Sequence, residues 1–382
     1  GYDMDPRRIE KLREKYGAGC GSIRFTSLEE ELSRAAFYIV TVLTPVDERK
    51  NPDLTCLVEA TRTVARYLKR GDYVVYESTV YPGCTEEVCV PLLEKGSGLK
   101  LGADFKVGYS PERINPNDSE HTFSNTAKIV SANDGQALDE VARVYAEVVA
   151  ADLCRASGIR VAEAAKMAEN VQRSVNIALM NELQRLFSRM GIDMGEVIDM
   201  ASSKWNFVKY RPGLGGGHCI PVDPLYLVSA ASKLGVEMPV TSSGCAVNDG
   251  MAAYVVRSLL GAMGSDGRGA RALLMGITYK ENIDDIRNSR IAEMVGLLER
   301  EGLSVDVTDP HADPDKVYAM YGIRPVPALR PPYDLIVVAV AHDDYRGLDD
   351  AYFRSISRGA ALLGDIRGLY KGRIKSLGYW SL

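Results

Sequence analysis

A chain of 382 residues with a formal net charge of −5 and 46% hydrophobic residues is long for one core and carries enough apolar material for two or three domains. The mild acidity argues against a nucleic-acid or anionic-membrane partner, and apolar runs such as 335–340 are strand-length, far short of the ~20 residues a membrane span needs. Seven cysteines without a C-x-x-C pair suggest neither a disulfide scaffold nor a zinc site, so no metal is expected and a reducing cytoplasm fits; the opening Gly1-Tyr2-Asp3 shows no signal-peptide pattern.

Residues 1–156 alternate in period. A polar-faced helix is predicted over 5–16, an apolar strand over 37–43, a helix over 53–68 and strands over 72–80 and 106–109. Buried strands separated by helices indicate a parallel sheet covered on both faces, a doubly wound fold whose ligands sit beyond the carboxyl ends of the strands. Three polar points fall at such ends: Thr44-Pro45, Ser78-Thr79 and Ser110-Pro111-Glu112-Arg113. Each alone reads more readily as a turn or a cap than as a site, and their recurrence on successive strand ends weakens that reading. The Gly-x-Gly-x-x-Gly loop of a nicotinamide-binding domain is missing; Gly17-Ala18-Gly19-Cys20-Gly21 follows a helix rather than a strand and is a decoy. The expectation is that this sequence starts after the first strand and helix of such a domain. Asp3 then falls where a carboxylate accepts hydrogen bonds from the adenosine ribose, or it is a helix N-cap, a role open to Asp5 as well.

From about 157 to 265 the pattern becomes almost wholly helical. A helix over 159–190 carries Leu179, Leu183, Leu186, Phe187 and Met190 as a stripe suited to another helix, a connector and dimer seam. Lys166, Asn170 and Arg173 share one face near its start, and a lysine among alanines, Met167 and Val171 is a candidate for a tuned acid or an oxyanion stabiliser. Gly191 ends the helix and Asp193 with Glu196 starts the next. The run Arg211-Pro-Gly-Leu-Gly-Gly-Gly-His-Cys-Ile-Pro-Val-Asp223 then sets Cys219 in a glycine-rich turn, either a nucleophile beside converging backbone N–H groups or an inert buried thiol; Asp223, four residues on, favours the nucleophile. A helix over 250–264 leads to the third region, 266–382. There strands over 272–277, 304–307, 335–340 and 361–365 alternate with helices over 289–301 and 313–321, a second doubly wound domain. Lys280 and Arg287 flank a helix start, as a phosphate site or as surface charge.

Taken together, Ser110-Pro111-Glu112-Arg113, Lys166-x-x-x-Asn170-x-x-Arg173, Gly216-Gly217-His218-Cys219-Ile220-Pro221-x-Asp223 and Thr278-Tyr279-Lys280 with Asp285-Ile286-Arg287-Asn288-Ser289 resemble the UDP-glucose/GDP-mannose dehydrogenase family, over essentially the whole chain. The resemblance implies an α/β protein with two doubly wound, Rossmann-like domains joined by a long central helix and a helical dimerisation region. It assigns 1–156 to binding NAD, 157–265 to catalysis and dimerisation, and 266–382 to binding the UDP-sugar. The stretch 203–207 with Arg211-Pro212-Gly213 is similar to members acting on UDP-N-acetylglucosamine, with the galactosamine sugar close. Members acting on the mannosamine sugar usually carry an arginine near the Trp205 position, and Pro116 stands where UDP-glucose enzymes often keep a glutamate.

The implied reaction is a four-electron oxidation of the C6 alcohol to a carboxylate with two NAD⁺ in succession. By resemblance, Cys219 adds to the intermediate aldehyde and the resulting thioester is hydrolysed. Lys166 and Asn170 stabilise the oxyanion, Asp223 and Thr79 act at the thiol and the water, and Glu112 is the hydrolytic base. Asp3, Thr44, Thr79 and Arg287 match cofactor contacts; Arg113, Ile114, Lys166, Asn170, Arg173, Gly216, Tyr279 and Lys280 match substrate contacts. A homodimer through the central helix, with neither nucleic acid nor membrane as partner, completes the expectation. The alternatives are a UDP-N-acetylmannosamine or UDP-glucose 6-dehydrogenase, a silent nucleotide-sugar binder, or a β-hydroxyacid dehydrogenase, which makes one hydride transfer and needs no cysteine.

Overall fold

The computed structural model describes residues 1–17, 21–115, 118–264 and 267–382, and the chain forms two compact units, Gly1–Ala168 and Glu169–Leu382. The decoy run around Cys20 and the positions of Pro116 and Asp266 therefore fall wholly or partly outside the described residues.

In the first unit the helices are α1 (Pro6–Tyr16), α2 (Thr55–Tyr67), α3 (Val90–Ser97) and α4 (Gly135–Ala146). Asp5, not Asp3, caps α1, accepting the Arg7 N–H at 3.0 Å, and Pro6 supplies the fixed φ of a first turn. The strands β1 (Phe37–Val40), β2 (Tyr73–Tyr76), β3 (Lys106–Tyr109), β4 (Lys128–Ala132) and β5 (Leu153–Arg155) form one sheet in that order. β1–β2–β3 are parallel, whereas β4 runs antiparallel to β3, a departure from the all-parallel expectation. β1 and β2 stop before the predicted 43 and 80, because beyond Val40 the backbone leaves the ladder and the Val42 carbonyl accepts the Ser78 hydroxyl instead. Val75, Val130, Ala137, Val141 and Tyr145 fill the space between the sheet and α4.

A 31-residue helix, α5 (Ile159–Arg189), starts in the first unit and ends in the second. The second unit continues with α6 (Met194–Ala201), α7 (Cys219–Lys233), α8 (Pro239–Asp249) and α9 (Met251–Met263). Gly191 closes α5 in the left-handed region and Asp193 caps α6 through the Glu196 N–H, as the sequence implied. A five-stranded sheet follows, with β6 (Arg271–Met275), β7 (Ser304–Thr308), β8 (Tyr333–Val338), β9 (Ser357–Asp365) and β10 (Gly378–Ser381) in the order β10-β9-β8-β6-β7, every pairing parallel. It is flanked by α10 (Arg290–Arg300), α11 (Pro314–Tyr321), α12 (Asp343–Arg346) and α13 (Asp350–Ser355). Leu274, Leu335 and Val337 pack on one face against Val255, Leu259, Met294 and Leu298; Leu273, Ile336 and Leu363 pack on the other against Phe353 and Tyr370. The strands read as continuous apolar runs because both faces are covered.

Candidate active site

In the first unit the polar strand ends are tied to one another. The Thr44 hydroxyl donates to the Thr79 carbonyl at 2.7 Å, and the Ser110 hydroxyl donates to the Ile129 carbonyl at 2.7 Å. One Glu112 oxygen accepts the N–H groups of Arg113 and Ile114 at 2.7 and 2.6 Å, so its carboxylate holds its own loop; the Arg113 guanidinium donates to the Ala127 carbonyl. Lys166 on α5, only 8% exposed, donates to the Glu112 carbonyl. Three residues earlier, buried Glu163 accepts the N–H groups of Gly83 and Thr85, closing the loop that follows Thr79. Burial raises the Glu163 pKa against those hydrogen bonds.

In the second unit Cys219 is the first residue of α7, not part of a turn, and Asp223 lies four residues on, on the same helical face. The N-terminus of a helix presents unpaired N–H groups and favours negative charge, the setting a thiolate nucleophile needs. Asn170, 1% exposed, donates its amide to the Asp223 carboxylate, itself 5% exposed. Pro224 inside α7 has no N–H for the Ile220 carbonyl one turn back; the Ser174 hydroxyl donates to that carbonyl instead, at 3.3 Å. Ser174 is held in turn by the Asn248 amide, and Asn248 by Asn181, whose amide also brackets Gly213 through N–H and C=O. The glycine run is thus anchored on one side by the Asn181 amide and on the other by the Ser174 hydroxyl, both on α5 and both braced by Asn248 of α8.

The loop between β6 and α10 closes over the same run. The Asn288 amide donates to the Gly217 carbonyl at 3.0 Å, and the Tyr279 ring occupies the space a Gly217 side chain would need. Arg287 is bound through Nε and Nη2 to Asp285; burial works to raise the Asp285 pKa, but this pairing outweighs it and holds the carboxyl below its usual range. His218 stands 3.9 Å from Asp285, and burial first, then Arg287, depress its pKa, so its imidazole is neutral at neutral pH. Ser289 caps α10.

Profiles of the UDP-glucose/GDP-mannose dehydrogenase family match three successive stretches: the NAD binding domain over residues 3–149, the central domain over 160–250 and the UDP binding domain over 273–372. A UDP-N-acetyl-D-glucosamine 6-dehydrogenase of Pseudomonas aeruginosa is 44% identical over 97% of this chain and 91% of its own length, and one of Salmonella typhi 42% over 96% and 90%. The chain belongs to the UDP-glucose/GDP-mannose dehydrogenase family. Solved structures agree: the UDP-D-ManNAc dehydrogenase of Pyrococcus horikoshii superposes with a TM-score of 0.89 at 27% identity, covering 100% of this chain and 92% of that one, and a UDP-glucose dehydrogenase of Pyrobaculum islandicum with 0.86 at 28%, covering 99% and 90%.

Thr44 and Thr79 stand at carboxyl ends of parallel strands, and the part-buried Asp3 carboxylate, held by the Asp5 N–H and Arg8, is an acceptor suited to a ribose hydroxyl. Family membership thus accounts for the four motifs of the sequence. The geometry adds Ser174, Asn181 and Asn248, which sequence reasoning missed; the available signal was polar side chains at 170, 174 and 181, spacings of four and seven that recur on one face of α5. Arg173 is exposed, and Trp205 is 93% exposed. Among the described residues no helix is long and apolar enough to cross a membrane.

Proposed function

We propose that the protein oxidises the C6 alcohol of UDP-N-acetylglucosamine to the uronic acid, with Cys219 as the covalent nucleophile. The observation that carries the reading is Cys219 on the first turn of α7 with Asp223 one turn on, its carboxylate bound to the Asn170 amide. Naming this sugar rests on the two relatives 44% and 42% identical that carry that name.

Asp3, Thr44 and Thr79, with Arg287 contributing, would hold NAD⁺, which when bound would supply the hydride acceptor for each of the two oxidations. The Cys219 sulfur attacks the C6 aldehyde, and the charge that gathers on the former alcohol oxygen is met by the Lys166 ammonium and the Asn170 amide, one turn apart on α5. Asp223 acts on the thiol, and Lys166 exchanges the proton of the former alcohol oxygen. Water cleaves the thioester, positioned by Thr79 and Asp223 and deprotonated by Glu112, which returns the thiol. Arg113, Ile114, Arg173, Gly216, Tyr279 and Lys280 hold the nucleotide sugar.

Residues 1–156, 157–265 and 266–382 divide these tasks into cofactor binding, catalysis with dimerisation, and UDP-sugar binding. Exposed Leu179 and Leu186 on α5, Met190 just after it and Met200 on α6 support a homodimer through the central helix. A nucleotide-sugar substrate and NAD support a cytoplasmic location.

The test is to count NADH against uronic acid with each UDP-hexosamine and with UDP-glucose. Two NADH per acid, made fastest from UDP-N-acetylglucosamine, are expected; one NADH per product would end the four-electron scheme. Cys219→Ala is expected to abolish acid formation in a folded protein, and turnover near wild type in that variant would remove the thioester.

A further inference from the structure

Lys280 reaches the nucleotide sugar in the reading above, yet it sits in a turn after β6 with no regular structure of its own. What holds that turn is a buried histidine that the reaction does not use. His342, 0% exposed, follows β8, and its Nδ1 lies 2.9 Å from the backbone N–H of Asn282. A backbone N–H only donates, so Nδ1 carries the lone pair and the proton is on Nε2. Nε2 is 3.2 Å from the Asp309 carboxylate and 3.2 Å from the Thr278 hydroxyl. That hydroxyl donates to the Lys280 carbonyl at 2.9 Å, which leaves it as an acceptor for His342.

One neutral imidazole therefore grips the turn at both ends, through Thr278 before Lys280 and Asn282 after it. Asn282 adds to the grip: it is left-handed, with φ 59°, its Nδ2 donates to Asp343, and its Oδ1 accepts the Asp343 N–H, both at 2.9 Å. A non-glycine residue in that region persists only where its surroundings over-determine it. Asp309 anchors the floor by accepting the N–H groups of Ile277, Thr278, His311 and Ala312. The rings of His311 and Tyr345 pack on the imidazole at 4.7 and 5.5 Å.

We propose that His342 is a positioning residue for the nucleotide: by fixing the turn from Thr278 to Asn282 it fixes where Lys280 presents its ammonium, and so sets affinity for the diphosphate of the UDP-sugar. The proposal rests on the assignment of Lys280 to substrate binding.

The two contacts of the ring can be kept one at a time. His342→Asn places an amide oxygen where Nδ1 was and keeps the grip on Asn282; His342→Gln places an amide nitrogen where Nε2 was and keeps only the contact to Asp309 and Thr278. UDP itself is titrated calorimetrically into wild type, both variants and Asn282→Gly, with thermal midpoints measured alongside. Expected are binding by His342→Asn within about threefold of wild type, binding by His342→Gln weaker by about tenfold or more, and binding by Asn282→Gly weaker by severalfold with the fold intact. Equal losses in the two histidine variants would reduce His342 to packing and overturn the proposal, as would unchanged UDP affinity in all three. Should His342→Gln not fold, Asn282→Gly decides. Wild type that fails to bind UDP would instead remove the substrate reading, and this inference with it.

Discussion

Asn288 joins the substrate-domain loop to the cysteine helix by one side-chain bond, and its removal separates positioning from stability. The residue is left-handed, with φ 51°, and its amide donates to the Gly217 carbonyl two residues before Cys219. Asn288→Ala loses that bond, about 1 kcal/mol, and places a Cβ residue without a helpful side chain in the left-handed region, about 1 kcal/mol more. Asn288→Gly loses the same bond but meets no steric penalty, so it is expected to be the more stable of the two by roughly 0.5–1 kcal/mol. Both release Gly217 equally. Acid formation is therefore expected to fall by a similar factor in each, on the order of ten to a hundredfold for a displacement near 1 Å at the nucleophile. Asn288→Asp is expected to be worst, because it sets a carboxylate against a carbonyl. Urea unfolding gives the stabilities, and kcat with the rate of Cys219 alkylation by iodoacetamide gives the positioning. Activity that tracks stability across the alanine and glycine variants, or wild-type kcat in Asn288→Gly, would refute the tether.

The Asn170–Asp223 pair is expected to respond asymmetrically. Asp223→Asn can turn its own carbonyl oxygen to the Asn170 amide and lose only the charge assistance, about 1 kcal/mol, while acid formation drops by on the order of a hundredfold or more; Asn170→Ala removes a donor from a buried carboxylate and is expected to lower the thermal midpoint further. Equal midpoints would contradict that bond. At Asp309, burial opposes ionisation, but the hydrogen bond near His342 and the backbone N–H groups outweigh it, and the carboxyl is held below its usual range. A lowered acid pKa means stability that is fully present above the ordinary value near 4 and is lost as pH falls below it. Urea titrations from pH 7 to 3 are expected to show wild type losing more stability than Asp309→Asn over the acid limb; parallel curves would exclude the mechanism. Gly217→Ala brings a Cβ to about 2.7 Å from the Tyr279 ring at φ 82°, and a loss of about 2 kcal/mol or more is expected by thermal unfolding, with an unchanged midpoint as the contrary result.

The motif residues were legible because each sits where local sequence dictates: Thr44, Ser78 and Ser110 just past apolar strands, Lys166 and Asn170 four apart on a helix, Ser289 before a helix. The helical seat of Cys219 was not. Two prolines within five residues read as a turn, yet Pro221 lies in the first turn of α7, where its missing N–H costs nothing, and the carbonyl orphaned by Pro224 is taken up by Ser174 from another helix. That compensation comes from a residue 46 positions away and has no local sign. The amides of Asn181 and Asn248 are likewise 67 residues apart and meet only in the folded unit. The sequence reads as three segments, while the compact units number two and part inside α5, most of the central segment lying with the third in the second unit.

The glycines before Cys219 change meaning once the packing is known. From the sequence, a run of glycines beside a thiol suggests backbone left bare for a ligand. In the fold, a side chain on Gly216 would meet the Asn288 carbonyl and the Tyr279 Cβ at 3.0 Å, and one on Gly217 would meet the Tyr279 ring. The absence of Cβ atoms thus lets another loop of the same chain close onto the turn, and it is this closure that lets Asn288 reach Gly217 and brings His218 to Asp285. The glycine-rich run before Cys219 is here the receiving half of an internal joint. The run before Cys219 is consequently joined to the loop bearing Lys280 and Arg287 through ordinary packing and one amide.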